Sequence, residues 1–168
     1  LRLVSEEVTF PLAKEDKDLI NKMIKYLHDS QIEKLAKKYD LRPGMGMAAI
    51  QLGVAKRYLT IVHEVGEEEF DTYVICNPKI ISNSEEKIYV DMGEGCLSVN
   101  RDVEGIVPRY ARVTVEGYDT EGNKIRIRAR EELAIAFQHE IDHLNGILFI
   151  DHIDKKNPYK DQDKYRAI

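Results

Sequence analysis

Between Glu131 and Asn145 the chain spells out a helix that is apolar on two sides. Leu133, Phe137, Ile141 and Leu144 recur at steps of four and three and form one stripe, and Gly146 stands where a left-handed C-cap ends such a helix. The other face carries Ile135 and Ala136 together with His139, Glu140 and His143. A helix with apolar residues on both sides must be enclosed, so the remaining chain is constrained to pack around it. Two imidazoles and a carboxylate on one face of an enclosed helix then require a chemical reason, because buried ionisable groups need partners.

The 168 residues, 43% hydrophobic and 33% charged, suit one ordinary soluble domain, and no repeat, low-complexity run or linker divides them. A single catalytic domain over 1–168 is therefore expected. Leu19, Ile20, Met23, Ile24 and Leu27 predict an amphipathic helix over Glu15 to Asp29, and Ser30 followed by Glu33 reads as a capping box opening a second short helix up to Asp40. Tyr58 to His63, Thr72 to Cys76 with Lys79 to Ile81 beyond Pro78, and Lys87 to Val90 are β-branched and aromatic runs that read as strands. Val113, Val115 and Gly117, then Ile125, Ile127 and Ala129 across the turn at Thr120 to Asn123, alternate with polar residues and predict a hairpin with one wet face. The expected class is α+β: antiparallel strands packed around a central buried metal-binding helix, with the N-terminal helices outside.

Several function classes fall away. With 25 Lys and Arg against 30 Asp and Glu the formal net charge is −5, which disfavours a broad face for nucleic acid. Arg126, Arg128 and Arg130 are the outward half of a period-two strand and read as a solvated face. No apolar run approaches the roughly 18 residues of a membrane span, and the opening LRLVSEEV has no charged segment leading into an apolar one, so a cytoplasmic protein is expected. The chain opens on Leu1 rather than Met, which suggests that a few residues are missing or trimmed there. Two cysteines, Cys76 and Cys96, are too few for a disulfide scaffold.

The segment His139-Glu140-Ile141-Asp142-His143 places two imidazoles one helical turn apart, so they can share a metal ion while Glu140 reaches a water bound to it. The alternative is a pair of core histidines bonded to backbone. A catalytic metal usually takes three protein ligands and leaves one position open. Phe149 stands where one extended version of this pattern has a third His, and the tail beyond is short and polar, so the third ligand is expected upstream. Cys96, between the glycines at 93 and 95 and Leu97-Ser98, is the best candidate, because thiolate binds Fe(II), Zn(II), Co(II) or Ni(II) strongly. Cys76, inside an apolar strand, reads as a plain buried thiol. His28, His63 and His152 have no companion at ligand spacing and are read as surface residues. In Gly44-Met45-Gly46-Met47-Ala48-Ala49-Ile50-Gln51 the small residues would let a substrate backbone approach, while Gln51 donates to a developing oxyanion.

Together GMGMAAIQ, EGCLS and QHEIDHLNG resemble the three motifs of the peptide deformylases, in the family's order and across nearly the whole chain. The helical segment before the first motif and the short tail after His152 resemble the Gram-positive variant. The resemblance implies hydrolysis of the N-formyl group from the initiator methionine of new polypeptides, with release of formate. It implies Cys96, His139 and His143 as ligands, and Fe(II) as the physiological metal, commonly replaced by Zn(II), Ni(II) or Co(II) in preparations. It also implies Glu140 as general acid and base, with Gln51 and the Leu97 N–H on the oxyanion. N-formylmethionyl nascent peptides would be the partners, which brings the protein near the ribosome, although no basic tail argues for a docking element.

The wall of a methionine pocket is expected from Met45, Ile135, Ala136 and the His139 ring, and pairing with the substrate backbone from Gly44 to Gly46 and Leu97 to Val99. Glu94, Arg109 and Asp142 are expected to support the ligands from behind, Asp142 pairing with Arg109 or Arg112. Ile50 and the methionines at 45 and 47 depart from the family's usual residues and alter only the lining. The competing functions are a zinc metalloprotease cutting internal peptide bonds and a non-enzymatic domain with a structural metal.

Overall fold

The structure, a computed structural model, describes residues 1–99 and 101–168. It is α+β, with helices α1 (Lys14–Ser30), α2 (Glu33–Lys38) and α3 (Glu131–Leu144). The strands are β1 (Gly46–Ala48), β2 (Tyr58–Gly66), β3 (Glu69–Asn83), β4 (Lys87–Tyr89), β5 (Arg109–Tyr110), β6 (Arg112–Tyr118), β7 (Lys124–Arg130) and β8 (Arg166–Ala167). Five form an antiparallel sheet in the order β1-β2-β3-β6-β7. A second sheet, β5-β4-β8, includes one parallel pair, β4 with β8, which departs from the purely antiparallel expectation.

The burial of β2 explains its sequence. Tyr58 to Val62 are all buried because both faces of the strand are covered. Leu59 and Ile61, with Ile75, Val113 and Val115, pack against Leu133, Phe137, Ile141 and Leu144 of α3. Tyr58, Val62 and Cys76 turn the other way, onto Ile20, Met23 and Leu27 of α1. The large sheet thus lies between α1 and α3. On β7 the arginines are exposed, as the alternation predicts, and Arg126 pairs with Glu116.

One expectation fails at the second helix. Ile32 is the N-cap of α2, with no side-chain cap. Ser30 instead ends α1 as a buried residue, donating to the Leu27 carbonyl and accepting from Gly44 N–H at 3.1 Å, so its hydroxyl serves the loop before β1. α3 ends as expected: Gly146 has φ +73°, and the amides of Gly146 and Ile147 return to the carbonyls of His143 and Asp142, a Schellman closure. No helix among the described residues is long and apolar enough to cross a membrane.

Candidate active site

α3 is buried continuously from Leu133 to Ile141 and again at His143 and Leu144, so the histidine face meets the loop before Val99 rather than solvent. Cys96 begins a tight turn closed by Val99 N–H on the Cys96 carbonyl at 3.0 Å, and it packs with Val99, Val107 and Phe149. This turn brings the thiol to the helix. Cys96 Sγ lies 3.3 Å from His143 Nε2, and one donor atom from each of Cys96, His139 and His143 lies within 4.8 Å of the others. Donors around a tetrahedral ion with bonds of about 2.0–2.3 Å stand roughly 3.3–3.6 Å apart, so the trio can hold a divalent metal. Cys76 is fully buried on the far side of the sheet, where burial first, then Asp119 and Asp16, push its thiol up to about 12.

Behind the trio runs a chain of ionic hydrogen bonds. Glu94, its side chain 4% exposed, accepts from His139 Nδ1 at 2.9 Å, which turns the other ring nitrogen toward the thiol. Arg109 grips Glu94 through Nε and Nη2, each at 2.9 Å, and reaches Asp142 Oδ2 through Nη1 at 2.7 Å. Asp142 therefore selects Arg109, while Arg112 stands on the exposed face of β6. Gln138 fixes Arg109 in place by trading hydrogen bonds with the main chain of Tyr110, a role its position in QHEIDH does not disclose. Phe149, at the position that elsewhere holds a third His, stacks on the His139 ring at 6.0 Å.

The charges follow from this wiring. Burial would raise Glu94, but bonds from His139 and Arg109 hold it down at about 2. Burial would lower His139, yet Glu140, Cys96 and Glu94 push it up to about 10, so the cluster favours a positive charge at its centre. Burial and the neighbouring His139 depress His143 to about 4, leaving its imidazole neutral and able to ligate. Burial raises Glu140 to about 7, with His139 and Arg109 opposing, which suits a group that must both take and give a proton.

Glu140 Oε1 and His143 Nδ1 are buried without a hydrogen-bond partner among the described residues. The Glu140 carboxylate lies against β1, where a Cβ on Gly46 would stand 2.7 Å from Oε2. A Cβ on Gly44 would meet Leu97 Cδ1 at 2.6 Å. Both glycines are thus needed for contacts within the protein itself. Gln51 sits in a 3-10 turn over Ala49–Leu52, and its Oε1 accepts from Ala48 N–H at 2.9 Å. That bond orients Nε2, which donates to Ser98 Oγ at 2.9 Å and lies 4.0 Å from Cys96 Sγ.

These residues line a cleft of about 340 Å³. Gly44, Met45, Gly46, Gln51, Glu94, Cys96, Leu97, Ile135, Ala136, His139 and Glu140 all border it. The Val99 side chain packs away from it in the Cys96 cluster, and its carbonyl accepts from Arg42. Exposed Arg42, Pro43 and Glu132 and half-buried Val90 also line the cleft and were not picked out in the sequence, because isolated residues at a rim carry no periodic signal. His63, half-buried, bonds Glu132 at 2.8 Å, and exposed His152 bonds Asp142 at 2.7 Å.

Comparison with known proteins agrees with this arrangement. A peptide deformylase 2 of Bacillus cereus is 46% identical over the whole of this chain and 91% of its own length, and a peptide deformylase of Macrococcus caseolyticus is 51% identical over the whole of this chain and 92% of its own. The crystal structure of a probable peptide deformylase from Synechococcus phage S-SSM7 superposes with a TM-score of 0.72 at 36% identity, covering 90% of this chain and 92% of that one. The peptide deformylase structure from Ehrlichia chaffeensis gives 0.74 at 35% identity, covering 92% of this chain and 83% of that one. The family model described as polypeptide deformylase matches residues 1–159, a span that takes in the cysteine turn, the glycine strand and the histidine helix, and the chain belongs to that family.

Proposed function

We propose that this chain hydrolyses the formyl amide at the amino terminus of N-formylmethionyl nascent polypeptides, releasing formate. It does so at one divalent metal ion held by Cys96 Sγ, His139 and His143, with 1–168 acting as a single cytoplasmic catalytic domain around α3. The observation that carries this reading is the convergence of those three donors with the unpartnered Glu140 Oε1 at the cleft. An ion ligated by soft thiolate and imidazole fits Fe(II), Zn(II), Ni(II) or Co(II), Fe(II) being the physiological choice. When bound, it supplies a Lewis acid that lowers the pKa of water and polarises the formyl carbonyl.

Glu140 takes the proton of the attacking water at its free oxygen and delivers it to the departing amine. Gln51 Nε2 and the Leu97 N–H donate to the carbonyl oxygen as its charge grows, and the Ala48 bond keeps the amide in the donating orientation. Met45, Ile135 and Ala136 receive the methionine side chain. The free edge of β1 and the backbone at Leu97 pair with the substrate main chain, so many following residues are accepted, while the Val99 N–H and carbonyl are already taken by Cys96 and Arg42.

The test is formate release from formyl-Met-Ala-Ser under anaerobic conditions with Fe(II) or Ni(II). The wild-type protein should release formate, and Glu140→Gln should lose about 10²–10⁴-fold in kcat while keeping its metal. Absence of release from folded, metal-loaded wild type would sink the deformylase reading.

A further inference from the structure

The 3-10 turn Phe149–His152 follows α3 and lies outside the cleft, yet it touches the histidine centre by two routes. Phe149 stacks on the His139 ring with an interplanar angle of 20°. His152 donates from Nε2 to Asp142 Oδ2 at 2.7 Å, the same oxygen that accepts from Arg109 Nη1 at 2.7 Å. From Arg109 the bonds continue to both oxygens of Glu94 and from Glu94 Oε1 to His139 Nδ1, each at 2.9 Å. Burial rises along this path: the His152 side chain is 37% exposed, Asp142 19%, and Arg109 and Glu94 3% and 4%.

We infer that His152 is a positioning residue for the metal centre, acting through Asp142, Arg109 and Glu94 to hold the plane and tautomer of His139. The inference rests on the metal reading of Cys96, His139 and His143 given above. The physical argument concerns Asp142. A carboxylate oxygen held between two donors has less freedom about its χ2 torsion than one held by Arg109 alone. Arg109 is held at its far end by Glu94 and would follow any swing of Asp142, carrying Glu94 and the ring behind it. Partners one bond removed from a metal-binding His typically change metal affinity 10–100-fold when lost. His152 stands further along the same path, so a smaller effect is expected. It touches neither the cleft nor the reacting atoms and is not a catalytic residue.

The proteins compared are wild type, His152→Ala, His152→Gln, Asp142→Ala and the Asp142→Ala/His152→Ala double variant, all loaded with Zn(II). The measurements are the rate of Zn(II) release to a chromogenic chelator, kcat and KM on formyl-Met-Ala-Ser, and the Tm of the metal-free proteins. His152→Ala should release Zn(II) about 3- to 10-fold faster, with lower kcat, unchanged KM and unchanged metal-free Tm. His152→Gln, whose amide can donate to Asp142, should release at the wild-type rate. In the Asp142→Ala background, which has no acceptor for either donor, the His152→Ala change should add nothing. An unchanged release rate in His152→Ala, an additive effect in the double variant, or a faster release matched by a fall in metal-free Tm would overturn the inference. Wild-type protein that retains no metal would overturn the metal reading and this inference together.

Discussion

A methyl group at position 46 would have to occupy the space of the Glu140 carboxylate, since the added carbon would stand 2.7 Å from Oε2 and 2.9 Å from Cγ. The position of the Glu140 carboxylate is thus set jointly by its helix and by the missing side chain of a strand residue. Gly46→Ala should leave the three ligand side chains in place but displace Glu140 by the order of an ångström. A shift of that size costs on the order of 100-fold in rate. Steady-state kinetics on formyl-Met-Ala-Ser, with metal content measured in parallel, should show kcat falling about that far while the metal stays bound. A variant with wild-type kcat would mean that Glu140 adjusts freely, and that the close contact does not position it. Glu140 itself was legible in the sequence because it stands beside two histidines placed one helical turn apart. Its dependence on Gly46 was not, because the two residues are 94 positions apart and meet only through the packing of β1 on α3.

Among the elements, α3 and the β6-β7 hairpin could be read almost to the residue, since each carries a clear hydrophobic period over at least seven positions. β1, β5 and β8 span three, two and two residues, too few to carry a period, and they exist because neighbouring strands offer them a ladder. The failed capping box at Ser30 has the same origin, because a tertiary contact with Gly44 outcompeted a local one. In β3 the alternation turns Cys76 inward against α1, and there its chemistry becomes a stability term. The thiol is held up to about 12 in the fold against an ordinary value of 9.0. Below pH 9 both folded and unfolded chains keep the proton, and the contribution is fully present. Above it the unfolded chain ionises first and stability falls until the folded thiol also titrates. Between pH 8 and pH 10, urea unfolding under reducing conditions should show wild type losing on the order of 1 kcal/mol more than Cys76→Ala. Equal losses would show that the buried thiol ionises freely.

At the scale of the whole molecule the layering was only partly legible. The enclosure of α3 followed from its two apolar sides, whereas the placement of the large sheet between α1 and α3 depends on which face of β2 each helix takes. Both faces of that strand are apolar, so no alternation reveals it. Glu94, Arg109 and Asp142 could be named from the sequence as supports, but the choice of Arg109 over Arg112 as the partner of Asp142 and the bond from His152 were hidden, because the four residues lie on separate segments with no shared spacing.

The candidate ligands themselves come from two distant parts of the chain, a turn at Cys96 and a helix at His139 and His143. An ion joining them acts as a removable crosslink, closing a loop of roughly forty residues. In the chain-entropy picture used for covalent links of that length, such a closure is worth roughly 4 kcal/mol. Stripping the ion with a chelator should therefore lower Tm by about 8–16 °C, and hydrogen exchange should rise first in the Gly93–Val99 turn, while the β2-β3 ladder keeps its protection. Uniform exchange across the molecule would show that the ion is not a tie between segments. The same atoms that perform the chemistry would then also fasten the tertiary structure, so a shortage of metal would shorten the lifetime of the protein as well as silence it.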